Sequence, residues 1–324
     1  MLTASAKKLL SYSLKAAILI LAFIFIYNRI SNNTNLHRFE ILLKGIDHSR
    51  AMIVMSCVVL LMLVNWVAEA FKWKYITREL VAITSWQAIE AVFCGLTWAV
   101  FTPNRIGEYG GRVMFLPNRK RIHGIFVMAI GSFGQNVITN VLGLIALMWF
   151  AFTFLHINIA ISLALSLAAF GFMALLVVFY FNIGWLVTLL NRISFLKKYH
   201  RFFDIMAKYK TAELLNIMWF CLTRFFVFSF QYYLVIHLLL PDIPVFPMMM
   251  MVFILFFIQS ALPSLDLLDV GVRSMTASAF FAYITDQNIA VMAAVSSIWF
   301  INLILPAILG SVFVLKLRFF DRAA

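Results

Sequence analysis

Charge is what this chain has least of. Asp, Glu, Lys and Arg make up 12% of its 324 residues, while 64% are hydrophobic and the mean hydropathy is +0.97. A soluble domain carries roughly twice that charge and clearly less apolar content. The shortage excludes an ordinary cytosolic globule, a disordered tail and a secreted scaffold. Cysteine is scarce as well. Cys57, Cys94 and Cys221 lie far apart inside apolar runs, which fits neither a disulfide framework nor a zinc site. Catalytic signatures are absent: the chain has no phosphate-binding Walker loop, no G-x-S-x-G, no H-E-x-x-H and no acidic metal cluster. His37, His48, His123, His156, His200 and His237 are dispersed without metal-ligand spacing. Neither a metal nor a cofactor is expected, and nothing marks the chain as an enzyme or an ATP-driven pump.

Acid is scarcer than base. There are 13 Asp and Glu against 26 Lys and Arg, a net charge of +13. The basic residues sit in short clusters between apolar runs, where they set topology against anionic lipid and do not form a nucleic-acid surface. No nucleic-acid partner is expected.

What is present in quantity is apolar sequence. Runs cover residues 16–27, 51–70, 83–101, 122–152, 159–190, 217–240, 248–262, 270–283 and 289–315. In lipid such runs must close their own backbone hydrogen bonds, so helices are predicted. Lys and Arg number three before the first run, four in 28–50, three in 71–79, five in 102–121, six in 192–210 and three after 315. If every run up to 190 spans, the clusters of five and six face outward, against the positive-inside rule. If 83–118 dips in and returns, and 248–283 does the same from the other side, the clusters of three, three, five, six and three share the cytoplasmic face. Only the 28–50 loop dissents. The expected fold is therefore an all-α integral membrane protein with about six spanning helices and two re-entrant helical hairpins. Its halves, residues 1–157 and 158–324, form an inverted-topology repeat, a plan common among transporters. Both termini are expected in the cytoplasm.

The hairpin breaks carry a shared pattern. Glu108-x-Gly110-x-Arg112 and Asp269-x-Gly271-x-Arg273 recur at half the chain's length. Each follows a proline, Pro103 or Pro263, which suits the first turn of a new helix. Thr102 and Ser264 or Asp266 are candidate caps. Two half-helix N-termini with arginine forks would hold an anion such as phosphate. Candidate binding residues are Arg112, Arg273, Arg105, Arg224, Thr102, Ser264, Gly107, Gly110, Gly111 and Gly271. Glu108, Asp269, Glu90 and Asp266 are candidates for orienting them or for proton coupling. Plainer roles fit the same residues. Both acid–arginine pairs have helical salt-bridge spacing, Gly107 and Gly111 have helix-packing spacing, and Glu90 suits a pairing role with Arg105 or Arg112. Glu69, near Lys72 and Lys74, reads as interfacial. Asn136 and Asn140 read as interhelical glue.

The segment Thr102-Pro103-Asn104-Arg105-Ile106-Gly107-Glu108, followed by Arg112, resembles the Thr-Pro-Gly-x-x-Gly-Glu segment of the lysylphosphatidylglycerol synthase transmembrane, or flippase-like, family. Asn104 stands where that family has glycine. The resemblance implies a bacterial inner-membrane protein that moves or handles charged lipids, without the soluble synthase domain some members carry. The expected function is translocation of an amphiphile with an anionic head, an anionic phospholipid or a polyprenyl phosphate. The alternatives are a membrane-embedded lipid-modifying transferase, with Glu69, Glu90 or Asp266 as base, and a non-catalytic membrane partner of a lipid synthase. The sequence leaves the oligomeric state open.

Overall fold

Long uninterrupted apolar runs become long helices. In the computed structural model, which describes residues 4–31, 34–102, 105–155, 157–193, 200–261 and 266–317, the described residues form helices and no strand. The helices are α1 (Ala4–Ser31), α2 (Thr34–Lys44), α3 (His48–Thr77), α4 (Ser85–Ala99), α5 (Ile106–Val113), α6 (Arg121–Phe154), α7 (Ile159–Phe181), α8 (Ile183–Arg192), α9 (Thr211–Leu239), α10 (Val245–Ala261), α11 (Asp266–Phe281), α12 (Asn288–Trp299) and α13 (Leu305–Val314). A π-helical turn, Phe300–Ile304, joins α12 to α13.

Among the described residues, five segments are long and apolar enough to cross a membrane: His48–Thr77, Asn118–Phe154, Ile159–Phe181, Thr211–Leu239 and Asn288–Val314. They coincide with five of the six predicted spans. The sixth, 16–27, falls within α1, whose apolar stretch is Tyr12–Leu21. By contrast, α4 with 15 residues and α5 with eight reach only about 22 and 12 Å, short of a ~30 Å hydrocarbon core.

Side-chain contacts place the helix ends. The Lys74 ammonium donates to Ser85 Oγ at the start of α4. Tyr209, just before α9, donates to Ile76 O at the end of α3, and burial holds its hydroxyl pKa above the ordinary value. Tyr180, at the end of α7, donates to Leu214 O. The rings of His123 and Phe126, in the first turns of α6, lie against Phe202 and Phe203. One end of the bundle therefore gathers the C-termini of α3 and α7 with the N-termini of α4, α6 and α9. Lys316 joins this end through Glu90, and Lys15 through Leu315 O. At the opposite end, Trp149 meets Phe246 near the start of α10, and Phe150 and Phe154 meet Tyr283 just after α11.

The short helices are wedged between the long ones by glycine. A Cβ on Gly111 would lie 2.6 Å from Gly95 Cα, and one on Gly107 would lie 2.4 Å from Trp98 O, so α4 and α5 pack antiparallel with backbones in contact. The first arm of each short pair also touches the last long segment of the other half. A Cβ on Gly310 of α13 would meet Phe93 O of α4 at 2.0 Å, and one on Gly143 of α6 would meet Phe257 Cβ of α10 at 2.3 Å. Thr97 Oγ1 donates to Ala307 O at 2.8 Å across the first of these seams. Val100, past the end of α4, and Val270 of α11 share one apolar cluster with Trp299, Leu303 and Ile304. The inner ends of both short pairs therefore meet the π-turn.

Candidate functional site

The chain breaks after α4 because Pro103 cannot continue it. Thr102 stitches the break. Its hydroxyl donates back to Trp98 O at 3.0 Å and accepts the Gly107 N–H at 2.8 Å. Thr102 thus caps α5 from outside the helix, while the residue just before the first turn is Arg105. Arg105 is the one non-glycine residue with positive φ among those described, at φ 56° and ψ 26°. A left-handed conformation costs an L-residue about 1–2 kcal/mol, and such strain persists where the surroundings impose it. It turns Arg105 over its own helix, with Nη2 3.2 Å from Glu108 Oε2 and the guanidinium 5.9 Å from the Trp66 ring.

One turn further on, Arg112 is buried to 2% exposure. Its fork is shared. Nη1 donates to Glu69 Oε1 of α3 at 2.6 Å, and Nη2 donates to Glu108. Glu69 is the centre of the site. Its second oxygen accepts from Lys72 at 2.7 Å and from Arg224 of α9. Arg224 Nε donates to Asn65 Oδ1 at 3.0 Å and Nη1 lies 3.4 Å from Gln135 Oε1, while its guanidinium sits 5.3 Å from the Trp66 ring. Lys72 also approaches Cys221 Sγ at 3.9 Å. Four helices, α3, α5, α6 and α9, therefore converge on one ionic network. Glu69 lies eight residues from the end of α3 and Arg224 thirteen into α9, roughly 12 and 20 Å from the basic end of the bundle. Both residues thus lie well inside helices long enough to cross a membrane.

Of the candidate residues, the structure brings Arg105, Glu108, Arg112 and Arg224 together, and it adds Glu69, Lys72, Asn65, Gln135 and Trp66. Glu69 is not interfacial: it is 4% exposed and holds three cations. Glu90 does not pair with Arg105 or Arg112. Its carboxylate accepts from Lys316 at 2.5 Å. Gly107 and Gly111 face α4, and Gly110 faces the Trp98 ring. Asn140 Nδ2 donates to Asn136 O within α6. Ser264 lies outside the described residues. Asp266, Asp269, Gly271 and Arg273 belong to α11, which packs mainly on α12 and α10, and a Cβ on Gly271 would meet nothing within 4 Å. No group of His, Cys, Asp and Glu among the described residues could hold a metal ion.

No protein-family model matches the chain, and no curated protein and no solved structure matches it.

The network can do two things chemically. It can hold an anion, because its donors are arginine forks and an ammonium. It can also couple α3 to α5, because Glu69 and Glu108 share the guanidinium of Arg112 through different nitrogens.

Proposed function

We propose that this chain is a lipid translocase of the bacterial inner membrane. It would carry an amphiphile with an anionic, phosphate-containing head, and the head would bind at the network around Arg112. The observation that carries this proposal is the composition of that network. It sets four cations, Lys72, Arg105, Arg112 and Arg224, against two carboxylates, Glu69 and Glu108, at membrane depth. Ionisable groups inside a membrane are costly, and a cluster of them marks a pathway or binding site by default.

Two further observations support a transporter plan. The chain between α3 and α6 begins and ends at the basic end of the bundle, and the chain between α9 and α12 begins and ends at the other. This agrees with two re-entrant hairpins entering from opposite faces. The paired glycine contacts, Gly310 on Phe93 and Gly143 on Phe257, lie about half a chain apart and exchange partners between halves. That is the pattern an inverted repeat produces. Placing the basic end in the cytoplasm satisfies the positive-inside rule, with both termini on that side. Rocking of one half against the other about the π-turn, where Val100 and Val270 share a cluster with Leu303 and Ile304, would expose the site to each face in turn. Single-turn π-segments inside α-helices occur frequently at functional sites. The likeness of the Thr102–Glu108 segment to the flippase-like family agrees with a lipid substrate.

The test is translocation in proteoliposomes. Wild type is expected to move a labelled anionic lipid between leaflets faster than protein-free liposomes, and the double variant Arg112→Ala/Arg224→Ala is expected to lose that acceleration. Equal rates for wild type and variant would remove the site from the mechanism.

A further inference from the structure

The network around Glu69 is out of balance in two independent ways. In charge, the four cations exceed the two carboxylates by two, and no other described acidic side chain reaches them. In hydrogen bonding, the imbalance has the same sense. Nε of Arg112, Nε of Arg105 and Nε1 of Trp66 are buried without hydrogen-bond partners. The acceptors are already engaged. Glu69 Oε1 accepts from Arg112 and Oε2 from Lys72 and Arg224, Glu108 Oε1 accepts from Arg112, and Glu108 Oε2 faces Arg105. The site therefore has positive charge left over, together with buried donors that its carboxylates do not reach. Both kinds of group are costly to bury unmatched.

A neutral ligand would answer the hydrogen bonds and leave the charge. A zwitterion would leave both positive charges, and a phosphodiester would leave one. A phosphate monoester at neutral pH supplies nearly two negative charges and three acceptor oxygens on one tetrahedral centre, a shape that arginine forks grip bidentately. Arg105 is the most exposed cation of the four, at 34%, so the group would arrive on its side.

We propose that the ligand of this site is a phosphate monoester in its dianionic form, and that Glu69 is the tethered anion that holds Lys72, Arg112 and Arg224 together in its absence. This rests on the anion-binding reading above and narrows it. The dianion shares those three cations with Glu69 and offsets the two surplus charges, and on its departure Glu69 alone holds them together.

The test is binding to the full chain in nanodiscs of zwitterionic lipid, with three soluble probes. These are dihexanoyl phosphatidic acid, a monoester, dihexanoyl phosphatidylglycerol, a diester, and inorganic phosphate. The second ionisation of a phosphate monoester lies near pH 6, so measurements at about pH 7.5 and about pH 5 compare its dianion with its monoanion. At the higher pH the monoester is expected to bind at least about ten-fold more tightly than the diester, and at the lower pH that advantage is expected to vanish while the diester changes little. Inorganic phosphate binding at least about ten-fold more weakly than the monoester identifies a lipid head group as the ligand. Equal binding identifies free phosphate. Glu69→Gln, which removes the competing carboxylate and keeps its shape, is expected to tighten monoester binding by about ten-fold. The wild-type comparison of the two lipids stands whether or not that variant folds. Equal affinity for monoester and diester would overturn the dianion and leave the anion site standing. Binding of none of the three would overturn both.

Discussion

The two short helix pairs carry the same acid-x-Gly-x-Arg pattern and place it in different surroundings. In α5, Gly110 faces the Trp98 ring, Gly107 and Gly111 touch the backbone of α4, and Arg112 is locked between carboxylates from two helices. In α11, Gly271 is exposed and a Cβ there would meet nothing. A repeated motif therefore shows only that two segments share a local sequence pattern. It does not make them equivalent sites. What distinguishes them is the company each keeps: α5 faces Glu69, Lys72 and Arg224 on two long helices, whereas α11 leans on α12 and α10.

That contrast can be broken by mutation. The largest effect is expected at the centre of the network. Glu69→Ala leaves Lys72, Arg112 and Arg224 without their shared anion, and removing one partner of a buried ion pair costs about 3–5 kcal/mol. Thermal unfolding in detergent should register it as the steepest loss among these variants, whereas a Glu69→Ala protein as stable as wild type would mean that the network holds nothing together. Gly111→Ala comes next. Its methyl would press on Gly95 Cα at 2.6 Å, and overpacking of this kind costs about 1–3 kcal/mol. The same denaturation curve should show the two arms of the first pair separating early. Gly271→Ala sharpens the comparison from the other side. With open space around it, the gain in helix propensity is expected to dominate, a stabilisation of up to about 1 kcal/mol. A loss at Gly271 equal to that at Gly111 would mean that the two pairs are packed alike. The smallest effect belongs to Glu90→Gln. Its partner Lys316 is 54% exposed, and an ion pair with so solvated a member contributes under about 1 kcal/mol.

Much of the architecture was legible because membranes enforce simple rules. The apolar runs marked the five long helices, and the runs read as not spanning became shorter helices. The halved-chain repeat of Gly110 and Gly271 pointed to the two segments whose inner ends meet at the π-turn. The site itself was half legible. Arg105, Glu108, Arg112 and Arg224 stood out because arginines and acids are rare inside apolar runs. Glu69 did not, for a physical reason. Its local partner, Lys72, sits three residues away and matches an ordinary helix-end pair, while the partners that define its role, Arg112 and Arg224, lie 43 and 155 residues away. Glu90 was expected to pair with Arg105 or Arg112, in the neighbouring short helix, and pairs far along the chain instead. Lys316, 226 residues on, reaches it only because α13 packs against α4. Spacing along one helix predicts pairs on that helix, and pairs between helices need the fold.

The central claim is that the network around Arg112 carries the head group, and that the equivalent arginine of the second pair does not do so in the same way. Translocation of a labelled anionic lipid in proteoliposomes, with Arg112→Lys and Arg273→Lys compared side by side, tests it most directly. Lysine keeps the charge and loses the fork that bridges Glu69 and Glu108. Arg112→Lys is expected to slow translocation by at least about ten-fold, the equivalent of about 1.4 kcal/mol in the barrier, and Arg273→Lys is expected to slow it less. Equal loss in the two variants, or no loss in Arg112→Lys, would contradict the central claim.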